Sequence, residues 1–326
     1  MNLLVTGGAG FIGSNLIHRV IDDAAVTRLV NLDCLTYAGQ LSNLEGISKH
    51  PKYVFARVDL RDKPAVLKVV ADHGITHVIH LAAESHVDRS IAAPADFIST
   101  NITGTFNLLE ACRGAWAGDW AGKKFVHVST DEVYGSLGAT GRFTESSPYA
   151  PNSPYAASKA AADLLVRAHH HTYGLPAVIT NGSNNYGPRQ FPEKLIPVAI
   201  QAALARRPIP VYGDGLNVRD WIHVADHCAA LWAVLGRGRA GETYNIGADN
   251  EQTNLRVVEL ICDLVDELRP DLGGQTRLLI KFVADRPGHD RRYAIDAGKI
   301  RGELGWRPER EFVAGMRELV GILGQR

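Results

Sequence analysis

Tyr155 is followed four positions later by Lys159, on a stretch whose pattern predicts a helix from Tyr155 to about Tyr173. The i,i+4 spacing puts both side chains on one face. An ammonium beside a phenol favours the phenolate, so the pair suits taking a proton from an alcohol as hydride leaves its carbon. A tyrosine stacked beside a surface lysine is the plain alternative, yet of ten tyrosines only Tyr155 carries this lysine. Upstream, the run Val128-Ser129-Thr130-Asp131-Glu132-Val133-Tyr134-Gly135 closes a predicted strand. It delivers Thr130, Asp131 and Glu132 to the carboxyl edge where parallel sheets bind ligands. Thr130 offers a hydroxyl to the reacting oxygen. Adjacent carboxylates supply an acid and a base if their surroundings push their pKa values apart. Oxidising an alcohol uses neither carboxylate, whereas eliminating water uses both. An acidic pair that merely favours a helix start is the simpler reading of the same two residues.

Such chemistry needs a hydride acceptor held nearby, and the first turn of the chain offers one. Thr6-Gly7-Gly8-Ala9-Gly10-Phe11-Ile12-Gly13 lies between a predicted strand and helix. Glycines at 7, 10 and 13 allow a tight turn, close pyrophosphate approach and close helix packing, and the helix start aims amides at phosphate. Asp33 ends the second strand twenty residues beyond Gly13. A carboxylate there accepts ribose hydroxyls and repels a 2′-phosphate, which selects NAD over NADP. Asp59 either touches the adenine side or caps the helix near Pro64.

Strands are expected at Leu3 to Thr6, Arg28 to Asp33, Tyr53 to Val58, His77 to Leu81, Phe125 to Thr130 and Ala177 to Asn181. Their near-continuous apolar runs, alternating with helical segments, predict an α/β fold of Rossmann type with a doubly wound parallel sheet. Beyond about Asn185, prolines and glycines become frequent and the elements shorter. Residues 1–185 are expected to form the NAD-binding domain carrying the catalytic residues. Residues 186–326 would form mainly a smaller mixed α/β substrate lobe, with the chain free to cross between lobes. Helices are expected there at Lys194 to Ala205, Ala225 to Leu235, Asn254 to Leu268 and Phe312 to Leu323.

With 45% hydrophobic residues in 326 and 35 acidic against 35 basic side chains, the chain reads as a globular enzyme. No basic excess attracts nucleic acid or a membrane surface. Neither a secretory leader nor a spanning apolar run is expected, which points to the cytoplasm. Cys34, Cys112, Cys228 and Cys262 lack paired spacing and read as reduced, buried thiols. His73, His77 and His80 do not share a helix face, because Gly74 ends the helix, so no metal is expected. His169, His170 and His171 read as a partly exposed helix end. Arg286, Arg291 and Arg292 suit an anionic pyrophosphate.

At nearly full length the chain resembles the dTDP-glucose 4,6-dehydratases, within the extended short-chain dehydrogenase/reductase superfamily. Matching segments run from Thr6 to Asn15, Leu32 to Gly39, Leu81 to Ser90, Ser129 to Gly135 and Tyr155 to Lys159. They continue with Ser183 to Pro188, Val218 to Trp221 and Asp285 to Asp290, while the loop 136–151 departs from the pattern. The resemblance implies that Tyr155, tuned by Lys159 and assisted by Thr130, takes the 4-hydroxyl proton. Asp131 would release water from carbon 6, and Glu132 would be the base at carbon 5. It implies that Phe11, Ile12, Asp33, Asp59, Leu60, Leu81, Ala82, Ala83, Ser85, Thr100, Tyr155 and Lys159 line the NAD. Asn184 would face both ligands. Ser85, Thr130, Lys194, Arg219, Asn254 and His289 would hold the nucleotide sugar. A homodimer is implied through the segments near Ala95 to Arg113 and Tyr155 to Tyr173. There Leu164, Leu165 and Val166 would serve the core, leaving Ala160, Ala161 and Ala168 to face a partner helix. The rivals are a UDP-glucose 4,6-dehydratase, a 4-epimerase, which needs no second acid-base pair, a nucleotide-sugar decarboxylase, and an NAD-binding sensor without chemistry.

Overall fold

Leu3 and Val5 fall in one apolar cluster and Leu4 in another, so the first strand is buried on both faces, as its unbroken apolar run requires. The computed structural model describes residues 1–325. β1 (Asn2–Thr6), β2 (Arg28–Leu32), β3 (Tyr53–Ala56), β4 (His77–His80), β5 (Lys124–Thr130) and β6 (Ala177–Gly182) match the six expected strands to within one or two residues. Their connections are α1 (Phe11–Val20), α2 (Lys63–Asp72), the short α3 (Val87–Ala92) and α4 (Pro94–Phe97), α5 (Gly104–Trp116) and α6 (Pro154–Tyr173). A π-type turn, Ile98–Thr103, joins α4 to α5.

The second half supplies β7 (Asn184–Tyr186), α7 (Leu195–Leu204), β8 (Ile209–Tyr212), β9 (Val218–His223), α8 (Val224–Arg237), β10 (Thr243–Ile246) and β11 (Glu251–Thr253). It ends with α9 (Asn254–Leu268), β12 (Ile280–Val283), α10 (Gly298–Leu304) and α11 (Phe312–Gly324). The sheet order is β10-β6-β5-β4-β1-β2-β3, all parallel, which is the doubly wound arrangement expected. β10 is therefore a strand of the large sheet drawn from beyond residue 186, and α8 packs on α1. Two small sheets, β11-β9-β7 and β12-β8, build the second lobe around α7, α9 and α11. No helix among the described residues is long and apolar enough to cross a membrane.

Local chemistry sets the position of α6. Ser153 Oγ accepts from the Ala156 amide at 3.1 Å, Pro154 opens the first turn, and Gly174 closes the helix in the left-handed region. Tyr155 thus sits on the first turn, beside the end of β5. Two expectations for this helix are corrected. Leu164 is 57% exposed while Ala160 is buried, because the face toward β5 is set by Ala156, Lys159, Ala160 and Asp163. His169 is buried rather than at an exposed end, with Nε2 3.2 Å from Glu110, the partner that makes its burial tolerable.

The turn after β5 is braced by Tyr134. Its ring stacks on Phe143 at 5.1 Å and meets Tyr149 edge-on at 5.4 Å, and its hydroxyl donates to Asn245 of β10 at 2.9 Å. The segment 136–151 is fixed in turn by Phe143, whose amide donates to the Ala294 carbonyl at 2.9 Å. Tyr134→Ala is expected to lose about 3–5 kcal/mol of stability in denaturant titration, the usual cost of deleting a buried aromatic ring. A loss below about 1 kcal/mol would show that the turn is held by other contacts.

Candidate active site

The glycine turn opens the site. Gly7 has φ +69°, and a Cβ there would meet the Ala82 backbone at 2.8 Å. At Gly13 it would run into the Gly7 carbonyl, so β1, α1 and the β4 end close to a distance only glycine allows. Gly10 caps α1 without a side-chain partner, leaving the first amides of the helix for a ligand. Asp33 holds the turn in shape: its carboxylate accepts from the Ala9 amide at 2.9 Å and the Leu35 amide at 2.8 Å. Burial raises its pKa despite those two bonds.

A cleft of about 410 Å³ runs from this turn to β5. It is lined by Gly7, Gly10, Phe11, Ile12, Gly13, Asp33, Asp59, Leu60, Leu81, Ala82, Ala83, Ser85, Thr100, Tyr155, Lys159 and Lys194. Asn184, Thr130, Arg219, Asn254 and His289 do not line it. Asn184 belongs to β7, paired with Trp221, and Asn254 opens α9 with its amide on the Asn217 carbonyl. Asp59 is not a helix cap. Asp62 accepts from the Ala65 amide at the start of α2, while Asp59 pairs with Arg61 at 2.6 Å on the cleft wall. Thr36, Arg61, Gln190, Phe191 and Glu193 also line the cleft, unforeseen from the sequence. Tyr37 donates to Glu193 at 3.2 Å and meets Phe191 edge-on, tying the loop after β2 to the one before α7. Only that pairing across the fold reveals those residues. Cys34, expected buried, is half-exposed on the same wall, whereas Cys112, Cys228 and Cys262 are buried.

Asp131, Glu132 and Tyr155 meet at the carboxyl end of β5. Thr130 Oγ1 accepts from the Glu132 amide and donates to Asp131 Oδ1, both at 3.3 Å. Asp131 is 1% exposed, and its Oδ2 has no partner. Burial, reinforced by the charges of Glu132 and Asp220, pushes its pKa well above the carboxylate range. Glu132 is also raised by burial, but Arg286, Arg219 and Lys194 oppose that rise. The two carboxyls are both raised but unequally, Asp131 well above the carboxylate range and Glu132 less so where three cations oppose the rise, which is the kind of difference an acid-base pair requires.

Each of those cations is fixed. Arg219, 4% exposed, lies 4.2 Å over the Tyr293 ring and donates to the Asp290 carbonyl at 2.9 Å. Lys194 donates to the Ser85 carbonyl at 2.9 Å. Arg286 lies 3.7 Å from Asp88, and its Nε is buried without a partner. His289 Nδ1 is 2.6 Å from Asp285. Of the three arginines expected at a pyrophosphate, only Arg286 faces the site. Arg291 and Arg292 are taken by Asp214 and Glu251, which neutralise them locally.

Lys159 reaches the end of β5. Its Nζ donates to the Val128 carbonyl at 2.8 Å, and burial pushes its pKa down to about 8. The Tyr155 phenol is not lowered: burial and the Glu132 charge raise it, with Thr130 opposing.

The family model described as GDP-mannose 4,6 dehydratase matches residues 4–319. A dTDP-glucose 4,6-dehydratase of Xanthomonas campestris pv. campestris (strain B100) is 55% identical over 318 residues, covering 96% of this chain and 90% of that protein. One from Neisseria gonorrhoeae is 55% identical over 327 residues, covering 98% and 94%. The chain belongs to the dTDP-glucose 4,6-dehydratase family. A crystal structure of such a dehydratase from Streptomyces venezuelae, with NAD bound, superposes with a TM-score of 0.91 at 46% identity, covering 98% of this chain and 96% of that one. A UDP-glucose 4-epimerase of Thermus thermophilus, also with NAD, shares the architecture at 0.87 but only 32% identity, covering 98% of each chain.

The glycine turn, the uncapped start of α1 and Asp33 fit the nucleotide that these dehydratase and epimerase structures carry. Gly13→Ala is expected to yield folded protein largely without nucleotide, and nucleotide extracted from the wild type to be NAD. Absorbance of the extract, resolved by chromatography, checks both. NADP as the main species would show that Asp33 does not meet the ribose.

Proposed function

We propose that the chain is a hydro-lyase, a dTDP-glucose 4,6-dehydratase, forming dTDP-4-keto-6-deoxyglucose and water. The observation that carries this reading is the contrast between adjacent carboxyls: Asp131 is buried with Oδ2 unpartnered and only Arg219 opposing its rise, while Arg286, Arg219 and Lys194 oppose it at Glu132. NAD, held by the glycine turn and Asp33, supplies the hydride acceptor at carbon 4 and the donor at carbon 6, and its oxidised ring favours the Tyr155 phenolate.

The protein's own groups move the protons. Tyr155 Oη takes the proton of the 4-hydroxyl, and the resulting ketone acidifies carbon 5. Glu132 removes the carbon 5 proton and later returns it, while Asp131 protonates the departing 6-hydroxyl. Per turnover Tyr155 gains one proton and Asp131 loses one. Thr130 donates to Asp131, one of the two groups that must be reset. Lys194, Arg219 and His289 lie on the second-lobe side, suited to the nucleotide's phosphates; Ser85, Asn184 and Asn254 are assigned to the same ligand by resemblance. A 4-epimerase has no use for the Asp131–Glu132 pair.

The same proposal includes a homodimer formed through α5 and α6, supported by Ile98, Phe106, Leu164 and Tyr173, which stand 55%, 37%, 57% and 47% exposed on that side. Light scattering should report twice the chain mass at micromolar concentration; monomer alone would refute it. A cytoplasmic site of action accords with four free thiols.

Glu132→Gln is expected to reduce bound NAD with dTDP-glucose yet to form keto product about 10²–10⁴ times more slowly, the contribution of a positioned general base. NADH should accumulate on the enzyme, and Tyr155→Phe should form little. Wild-type turnover in heavy water should place deuterium at carbon 5. Normal turnover and deuterium incorporation in Glu132→Gln would reject the assignment. Rates with UDP-glucose and GDP-mannose, measured alongside, test the choice of nucleotide.

A further inference from the structure

Below the reacting pair lies a carboxylate with no part in the steps above. Asp163 follows Lys159 by one helical turn on α6 and is 1% exposed. Its Oδ2 accepts from Ser129 Oγ at 2.8 Å and from the Tyr149 hydroxyl at 2.9 Å. Its Oδ1 lies 3.1 Å from His127 Nε2 without a hydrogen bond. Two consecutive residues of β5 thus hold two side chains of α6: the Val128 carbonyl meets Lys159, and Ser129 meets Asp163.

We propose that Asp163 is a positioning residue of this reaction, the buried counter-charge that keeps the Lys159 side chain an ammonium beside Tyr155. This rests on the reading of Tyr155 and Lys159 as the reacting pair. A lysine taken out of water with one carbonyl partner sheds its proton unless an anion compensates. Asp163 is the charge that opposes the desolvation of Lys159. The other groups around them do not serve. His127 and His80 are fully buried and held neutral, His80 between the Thr6 and Thr105 hydroxyls. Tyr134 and Tyr149 are buried phenols pushed away from ionising. Asp131 and Glu132 act on Tyr155, and there Asp163 is the weakest of the three charges. On the far side, Glu145, Arg167, His170 and Glu242 line a separate cavity that reaches Asp163 but not Lys159.

Asp163 is itself raised to about 6, so its charge is present above that value and lost below it, whereas the Lys159 charge is present below about 8 and lost above it. The initial hydride transfer, followed by nicotinamide absorbance on rapid mixing of holoenzyme with dTDP-glucose, should slow as pH rises through about 8, where Lys159 loses its charge.

Asp163→Asn keeps the shape and removes the charge. Its alkaline limb should move to lower pH, and at the alkaline end the rate should fall about tenfold each time the limb moves by one on the pH scale. The KM for the sugar nucleotide should stay that of the wild type. Asp163→Ser, neutral like the asparagine variant and smaller, should shift the alkaline limb the same way, which keeps the test open if Asp163→Asn does not fold. Asp163→Glu should restore the alkaline limb. A rate reduced by one factor at every pH, or profiles of both variants matching the wild type, would overturn the proposal while wild-type turnover leaves the dehydratase reading intact. Wild-type protein giving neither NADH nor keto sugar would overturn both.

Discussion

A carboxylic acid keeps its proton to higher pH where water is excluded and few cations stand by, and Asp131, opposed by Arg219, lies one residue from a carboxylate opposed by three cations. That contrast is what the rest of the structure must maintain. β5 runs between β4 and β6, so its carboxyl end emerges from the middle of the sheet. Strand edges are accessible to water, and a turn placed there would expose Asp131 and erase the difference. The aromatic group of Tyr134, Phe143 and Tyr149 closes the turn from below.

The second lobe completes the contrast from above. Arg219 comes from β9, Lys194 from the start of α7, and Arg286 from the loop after β12. All act on Glu132, while only Arg219 also offsets Asp131 appreciably. The difference between Asp131 and Glu132 is thus set by residues far from them in sequence, and the small lobe contributes the cations that make it. The same reasoning applies on the other side of β5, where Lys159 is compensated by Asp163 and by no exposed group.

The sequence was most legible where one short segment carries both an element and its chemistry. The glycine turn, the β5 end and the Tyr155–Lys159 pair each lie on an apolar run or a helical period, and the large sheet follows from those runs. The face of α6 was not legible: Leu164, Leu165 and Val166 are consecutive, and periodicity alone does not say that Leu164 is the outward one. Strands β7 and β11 are three residues each, too short for a pattern, and β8 carries a proline. The fate of Arg291 and Arg292 was hidden for a different reason. Their carboxylate partners lie on β11 and in the loop before β9, and such pairings exist only once the fold has formed. Lys159 stands out by its spacing from Tyr155, but its orientation toward a strand carbonyl has no local signature.

The placement of β10 has a bearing on how this molecule comes to exist on the ribosome. The seventh strand of the large sheet, and the helix that covers α1, are translated only after β7, α7, β8 and β9 of the second lobe. Until then β6 is an unpaired apolar edge, open to association with other nascent chains. At about 5–20 residues per second that exposure lasts several seconds.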